Sequence, residues 1–314
     1  MIKLLTFIIA IFAFASCNPK QEQQASSPDI TGAEAISFSG KPLFAPKTDS
    51  ATMFKTDSAI AAIGNLPEFT EDTYIQLGQQ YIASNRYKAA IDAYSAGLGK
   101  FPDSFKLLRH RGHRYISIRL LDKAIADLKR AEELIRDQPD VPEYDATGHE
   151  TGTYQHWIWY HIGLYYFLNQ AYIQAAPAYE QCLAASRNNK NIVGASDWLY
   201  NTYMRLNETD KAQKLLEAIT PDMDTDREHP YFRRVMLYKG VITPEELVDV
   251  NQDPAKTSVG DVTKMYGLAN WYAYQGAKDK ALGLYKKIVQ SESGWPGFAY
   301  AAAEKELAIT TVAP

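Results

Sequence analysis

The chain of 314 residues is poor in the features that usually betray chemistry. It has two cysteines, too few for a disulfide framework. Its 33 basic residues nearly balance 37 acidic ones, so a net charge of −4 gives no footprint for nucleic acid. Beyond the first 17 residues no stretch approaches the 18 uncharged apolar positions a spanning helix needs. There is no glycine-rich phosphate loop, no nucleophile elbow and no HExxH; His149-Glu150 runs on into Thr-Gly-Thr-Tyr, which suits no metal-binding helix. These absences argue against an enzyme and imply no cofactor. What remains is an ordinary globular composition, 46% apolar and 22% charged, which excludes wholesale disorder.

The N-terminus reads MIKLLTFIIAIFAFASC. One cation, Lys3, precedes an apolar run from Leu4 to Ala15 that is too short to span a bilayer. The tripartite pattern predicts a secretory signal over 1–16. Its end, Phe14-Ala15-Ser16-Cys17, resembles a bacterial lipoprotein signal, with Phe14 where leucine is usual. That resemblance implies a lipidated Cys17 and a chain held in the bacterial cell envelope, more readily at the outer membrane, its folded part periplasmic or surface-exposed. The other reading is an ordinary cleaved signal with Cys17 an incidental thiol. Residues 17–57, rich in Gln, Ser, Pro and Thr, predict a flexible tether. Helix-capping chemistry occurs twice, in Thr48-Asp49-Ser50-Ala51 and Thr56-Asp57-Ser58-Ala59; the second is expected to open a short helix, 58–65, at the edge of a folded domain covering 58–309.

From Tyr74 the chain carries a repeating pattern. Tyr74, Leu77, Gly78 and Tyr81 share one helical stripe; Ala90, Tyr94, Gly97 and Pro102 follow. Thirty-four residues on come Leu108, Gly112 and Tyr115 with Ala124, Leu128 and Ala131. Trp159, Ile162, Gly163 and Tyr166 then precede Ala175, Tyr179 and Cys182; looser copies hold Leu199 with Ala212, and Leu268 with Tyr285. This skeleton resembles the tetratricopeptide repeat, with units near 71–104, 105–138, 156–189, 193–225 and 262–294. The resemblance implies an all-α, right-handed superhelix of stacked helix-turn-helix repeats, capped by a last helix near 295–309 that covers the open end. Pro177 should kink the second helix of unit three or delay its start.

In that family the first helix of each unit lines a concave groove. Carried onto this sequence, the groove positions include Arg109, His110 and His113 in unit two. Trp157, Tyr160 and His161 follow in unit three, and Trp198 and Asn201 in unit four, with Asp197 the single acid. Residues 106–119 hold five Lys/Arg and no acid, so a basic patch beside aromatics could seat an extended acidic peptide, or a glycan stacked on Trp157 and Trp198. The competing reading is burial, because helix 156–168 is apolar nearly all round. His110 with His113, and His156 with His161, lack the further ligands a metal needs. Residues 137–155 form a long acidic insertion with Asp137, Asp140, Glu143, Asp145 and Glu150 and no Lys or Arg. It either folds over the basic stripe or is a solvated loop. The chain therefore reads as a membrane-anchored scaffold for a protein or peptide partner, with a glycan binder as the alternative.

Overall fold

The computed structural model describes residues 30–310. The signal, Cys17 and the first part of the expected tether lie outside the described residues. The body is a series of antiparallel helical hairpins. Unit one pairs α2 (Glu71–Ala83) with α3 (Tyr87–Lys100), and unit two α4 (Phe105–Ser117) with α5 (Leu121–Ile135). Unit three pairs α6 (Tyr154–Leu168) with α7 (Tyr172–Ala184), and unit four α8 (Asn189–Arg205) with α9 (Thr209–Leu216). After α10 (Pro230–Tyr238) and the single turn α11 (Pro244–Leu247), unit five pairs α12 (Val259–Tyr274) with α13 (Lys278–Ile288). The last helix is α14 (Phe298–Thr310).

One packing device recurs. Gly78 faces Tyr94 so closely that a Cβ would stand 2.1 Å from the ring; Gly112 meets Leu128 at 2.8 Å and Gly163 meets Tyr179 at 2.8 Å in the same way. Glycine is required here because the second helix packs against the backbone of the first. Each unit turns through a residue of positive φ, namely Asn85, Arg119, Gln170, Asn207 and Gly276, which ends the first helix and lets the chain reverse. One apolar cluster runs through the array, from Tyr87 and Leu128 to Leu284 and Trp295. Pro177 sits within α7, whose start at Tyr172 is not delayed.

Four expectations change. The segment expected to be a tether is ordered from residue 30: β1 (Ala33–Ile36) pairs antiparallel with β2 (Pro42–Phe44), and Ala33, Ala35 and Leu43 are buried. Helix α1 (Ser50–Gly64) opens at the first capping motif, where Asp49 accepts from Thr52 N at 2.9 Å; Thr56 of the second lies inside the helix and bonds back to Thr52 O. The acidic insertion is a second hairpin, β3 (Pro142–Tyr144) with β4 (Glu150–Thr153), turning at Gly148 with φ +83°.

The fourth change concerns α14, which does more than cover the open end. Its Glu304 pairs with Arg119 after α4 at 3.0 Å, and its Glu306 pairs with Arg205 of α8 at 2.6 Å and accepts from Tyr266 of α12 at 3.3 Å. Phe298 at its start packs on His113 of α4 and His161 of α6. The helix therefore lies along the first helices of four units, with Ala299, Tyr300, Ala301, Ala302 and Ala303 all buried.

Candidate partner-binding groove

The inner face, made by the first helices, is occupied by the chain itself from both ends. α14 covers one part. At the other end β3–β4 crosses α2 and α4: Gln79 of α2 donates to Tyr144 O at 3.0 Å, and Glu143 pairs with Arg109 of α4 at 2.9 Å, both side chains 6% exposed. The insertion thus folds over the basic stripe.

Between the two occupants a cavity of about 240 Å³ stays open. His113 of α4 and Phe298 of α14 close one side, and Trp157, Tyr160 and His161 of α6 form the back. Lys190, Asn191 and Gly194 of α8 lie opposite, with His229 and Tyr231 around the start of α10. Four of the sequence-derived groove residues meet here: His113, Trp157, Tyr160 and His161. His113 and Trp157 are half-buried and Lys190 is exposed at the rim.

The chemistry of the walls is specific. His161 stands 0% exposed with Nδ1 2.5 Å from Trp157 O. A carbonyl only accepts, so Nδ1 carries the proton and Nε2 is a bare acceptor, without a partner. Trp157 Nε1, a donor, is likewise unpartnered. Burial holds His113 and His161 well below the usual imidazole range, and His156 is brought down to about 4, so the rings are neutral at pH 7. Tyr160 Oη donates to Tyr231 Oη at 2.9 Å and accepts from Trp198 Nε1 at 2.7 Å, which fixes the back wall. A neutral, ring-lined recess beside an exposed ammonium suits an apolar side chain with an acidic neighbour.

The other expected groove residues lie elsewhere, for physical reasons. Arg109 is buried under Glu143, its guanidinium 5.4 Å from the Trp157 ring centroid. His110 is buried between Tyr94, stacked at 5.5 Å, and Tyr154. Trp198 is wholly buried against Phe167 and Tyr179, so it offers no face to a sugar. Asn201, also wholly buried, accepts from Asn270 at 2.9 Å and from Tyr274 at 3.0 Å, joining units four and five. Asp197 is enclosed with Arg234 at 2.9 Å, away from the inner surface. Arg109 and His110 are covered by the β3–β4 insertion and by Tyr94 and Tyr154. Trp198, Asn201 and Asp197 are instead enclosed by α10 and α12, and α10 is an element the repeat pattern does not contain. Sequence reasoning missed Asn191, His229, Tyr231 and Phe298 for the same cause; the irregular His229-Pro230-Tyr231 step was the available signal.

Among the described residues no group of three or more His, Cys, Asp or Glu is placed to hold a metal ion, and no helix is long and apolar enough to cross a membrane. Cys182 is buried beneath His156, and burial pushes its thiol well up.

Residues 166–230, from the end of α6 through α9, match the family model described as tetratricopeptide repeat. No curated protein matches the chain. Among solved structures, a tetratricopeptide repeat protein from Parabacteroides merdae is similar at 16% identity, covering 76% of this chain and 86% of its own, with a TM-score of 0.47. YrrB, described as a tetratricopeptide repeat protein with an unusual peptide-binding site, is similar at 14% identity over 74% of this chain and 90% of its own, with a TM-score of 0.40. The matched stretch, residues 166–230, is of tetratricopeptide repeat type, and helical hairpins of the same plan stand before and after it in the chain.

Proposed function

We propose that the protein is a non-catalytic scaffold, lipid-anchored through Cys17 in the cell envelope, that binds a partner protein by a peptide segment at the open part of its inner face. The observation that carries this reading is the cavity between α6, α8 and α10, whose walls are neutral rings with an unpaired donor and an unpaired acceptor. An apolar side chain of the partner fills it, and an acidic neighbour meets Lys190. The glycan alternative loses half of its aromatic platform with the burial of Trp198.

A photo-crosslinking residue at Lys190, introduced into the full chain in its native envelope, tests this. A discrete adduct should form there and be absent when the crosslinker replaces Lys123, exposed on the outer helix α5. Equal adducts at both positions, or none at Lys190, would overturn the reading. The anchor is tested separately: Cys17→Ser should release the chain from the membrane fraction.

A further inference from the structure

Residues 106–119 carry five cations, and four have a carboxylate: Lys106 meets Glu71, Arg109 meets Glu143, Arg111 meets Asp127, and Arg119 meets Glu304. Arg114 has no carboxylate within ion-pair reach among the described residues. The seat on the inner face of α4 therefore holds Arg109 and Arg114 against the single carboxyl group of Glu143, and both cations act on it against the effect of its burial. The match is also incomplete in geometry. Glu143 touches Arg109 through one oxygen, leaving Glu143 Oε2 and Arg109 Nε buried without hydrogen-bond partners. A guanidinium this enclosed is better satisfied by a two-oxygen contact.

The arm that delivers Glu143 is lightly held. Of residues 142–150 only Glu143 is buried, and the rest of that run is exposed to solvent. Within that run the other hydrogen bond to the array is from Gln79 to the Tyr144 carbonyl; the firmer ties, Arg187 to Asp140 and Asn191 to the Thr151 carbonyl, lie at the base of the hairpin. A segment with one buried side chain and few protected amides is the kind that opens locally at little cost.

We propose that Glu143 is an internal stand-in for a carboxylate of the partner, and that an extended acidic segment displaces the β3–β4 arm to take the Arg109–Arg114 seat. The proposal rests on the reading above, that a peptide binds the inner face, and names its chemistry. The Arg109 guanidinium lies over the Trp157 ring that walls the cavity, so a peptide with its apolar side chain in the cavity carries a neighbouring acid to Arg109. The arm and the partner then compete for one site, and removing the internal carboxylate raises affinity for the external one.

The probe is a labelled hexapeptide of alternating glutamate and tryptophan, with a glutamine-for-glutamate version as control, titrated against the full chain at low salt. Glu143→Gln should bind the acidic peptide about tenfold more tightly than the unaltered protein. Adding Arg109→Gln to Glu143→Gln should remove that gain, and the control peptide should not distinguish the forms. Hydrogen exchange supplies a readout that needs no substitution: saturating acidic peptide should speed exchange of amides 142–150 in the unaltered chain. Equal affinity for the unaltered chain and Glu143→Gln, binding by neither, or unchanged exchange in 142–150 would each overturn the proposal. A Lys190 adduct that is insensitive to Glu143→Gln would defeat the stand-in while leaving the binding site intact.

Discussion

The indole N–H of Trp295 donates to the carbonyl of Phe44 at 2.7 Å, joining positions 251 residues apart. The same indole packs on Tyr87 at 5.2 Å, and Arg119 donates to the Trp295 carbonyl at 2.9 Å. A solenoid's units normally touch only their neighbours. Here the N-terminal hairpin, the start of α3, the turn after α4 and the approach to α14 meet at one side chain, so the array behaves as a closed body. Trp295→Ala should cost about 3–5 kcal/mol, as for a buried aromatic, while Trp295→Phe, losing chiefly the hydrogen bond, should cost about 1 kcal/mol. Denaturant midpoints at constant slope read both values; two separate transitions in Trp295→Phe would show that the ends do not fold as one unit.

The tight glycines make an opposed pair of predictions. At Gly163 a new Cβ would lie 2.8 Å from the Tyr179 ring, which Tyr160 and Trp198 hold in place. Gly163→Ala should destabilise by about 1–3 kcal/mol through overpacking. Gly99, exposed within α3, has nothing within 4 Å of a new Cβ. Gly99→Ala should stabilise by about 0.5–1 kcal/mol, by reducing the freedom of the unfolded chain. Thermal melts of the two variants should move in opposite directions.

The repeating stripes made the hairpins legible because the spacing of Gly78, Gly112 and Gly163 from their partners is a local, helical constraint. The ordered β1–β2 hairpin was not legible, since its polar, proline-bearing sequence gains order from partners far along the chain: burial of Ala33, Ala35 and Leu43, hydrogen bonds from Lys88 to Glu34 and to the Ala33 carbonyl, and Trp295. Groove positions were read from helix periodicity, which fixes a face but not what lies against it. His113 and Trp157 kept partial exposure because they fall in the gap between the two internal occupants. Trp198 and Asn201 share that face further along, where α10 and α12 enclose them.

Acidification should weaken the fold. His110, His113, His156 and His161 are held by burial below the ordinary imidazole value of 6.5, so each stays neutral in the folded chain and charges on unfolding. The stability they contribute is present above pH 6.5 and lost as pH falls toward the folded values. Glu143 and Asp197, pushed up to about 7 by burial, act in the opposite sense, since the folded form takes protons first as pH drops below 7. His229 is lowered by burial as well and Glu304 raised, so five imidazoles stand against three carboxyls, and Tm should fall between pH 7 and 5.5. His156, whose Nδ1 donates to Cys182 O at 3.2 Å, accounts for on the order of 1 kcal/mol at pH 5.5. His156→Gln should flatten the calorimetric pH slope by about that amount, and an unchanged slope would show that His156 is already charged in the fold.

Asp197 and Arg234 form an ion pair at 2.9 Å with both side chains 0% exposed. The guanidinium is enclosed by Trp198, Tyr231 and Tyr266, at 5.5, 5.4 and 5.6 Å, and Gly267 makes its room, since a Cβ there would stand 2.5 Å from Arg234 Cγ. Asp197 Oδ1 and Arg234 Nη1 have no hydrogen-bond partner, so the attraction is not fully supported by directed bonds. Taking two charges out of water costs several kcal/mol each, and their attraction does little more than offset it. The single change and the paired change should therefore differ in kind. Asp197→Asn leaves an enclosed cation without its counter-charge and should lose about 3–5 kcal/mol. Asp197→Asn with Arg234→Met removes both charges and keeps most of the volume. The pair should recover at least about 2 kcal/mol of that loss in a double-mutant cycle. Additive losses would mean that the two groups do not depend on one another, and that the ring cage, rather than the carboxylate, holds Arg234 in the core.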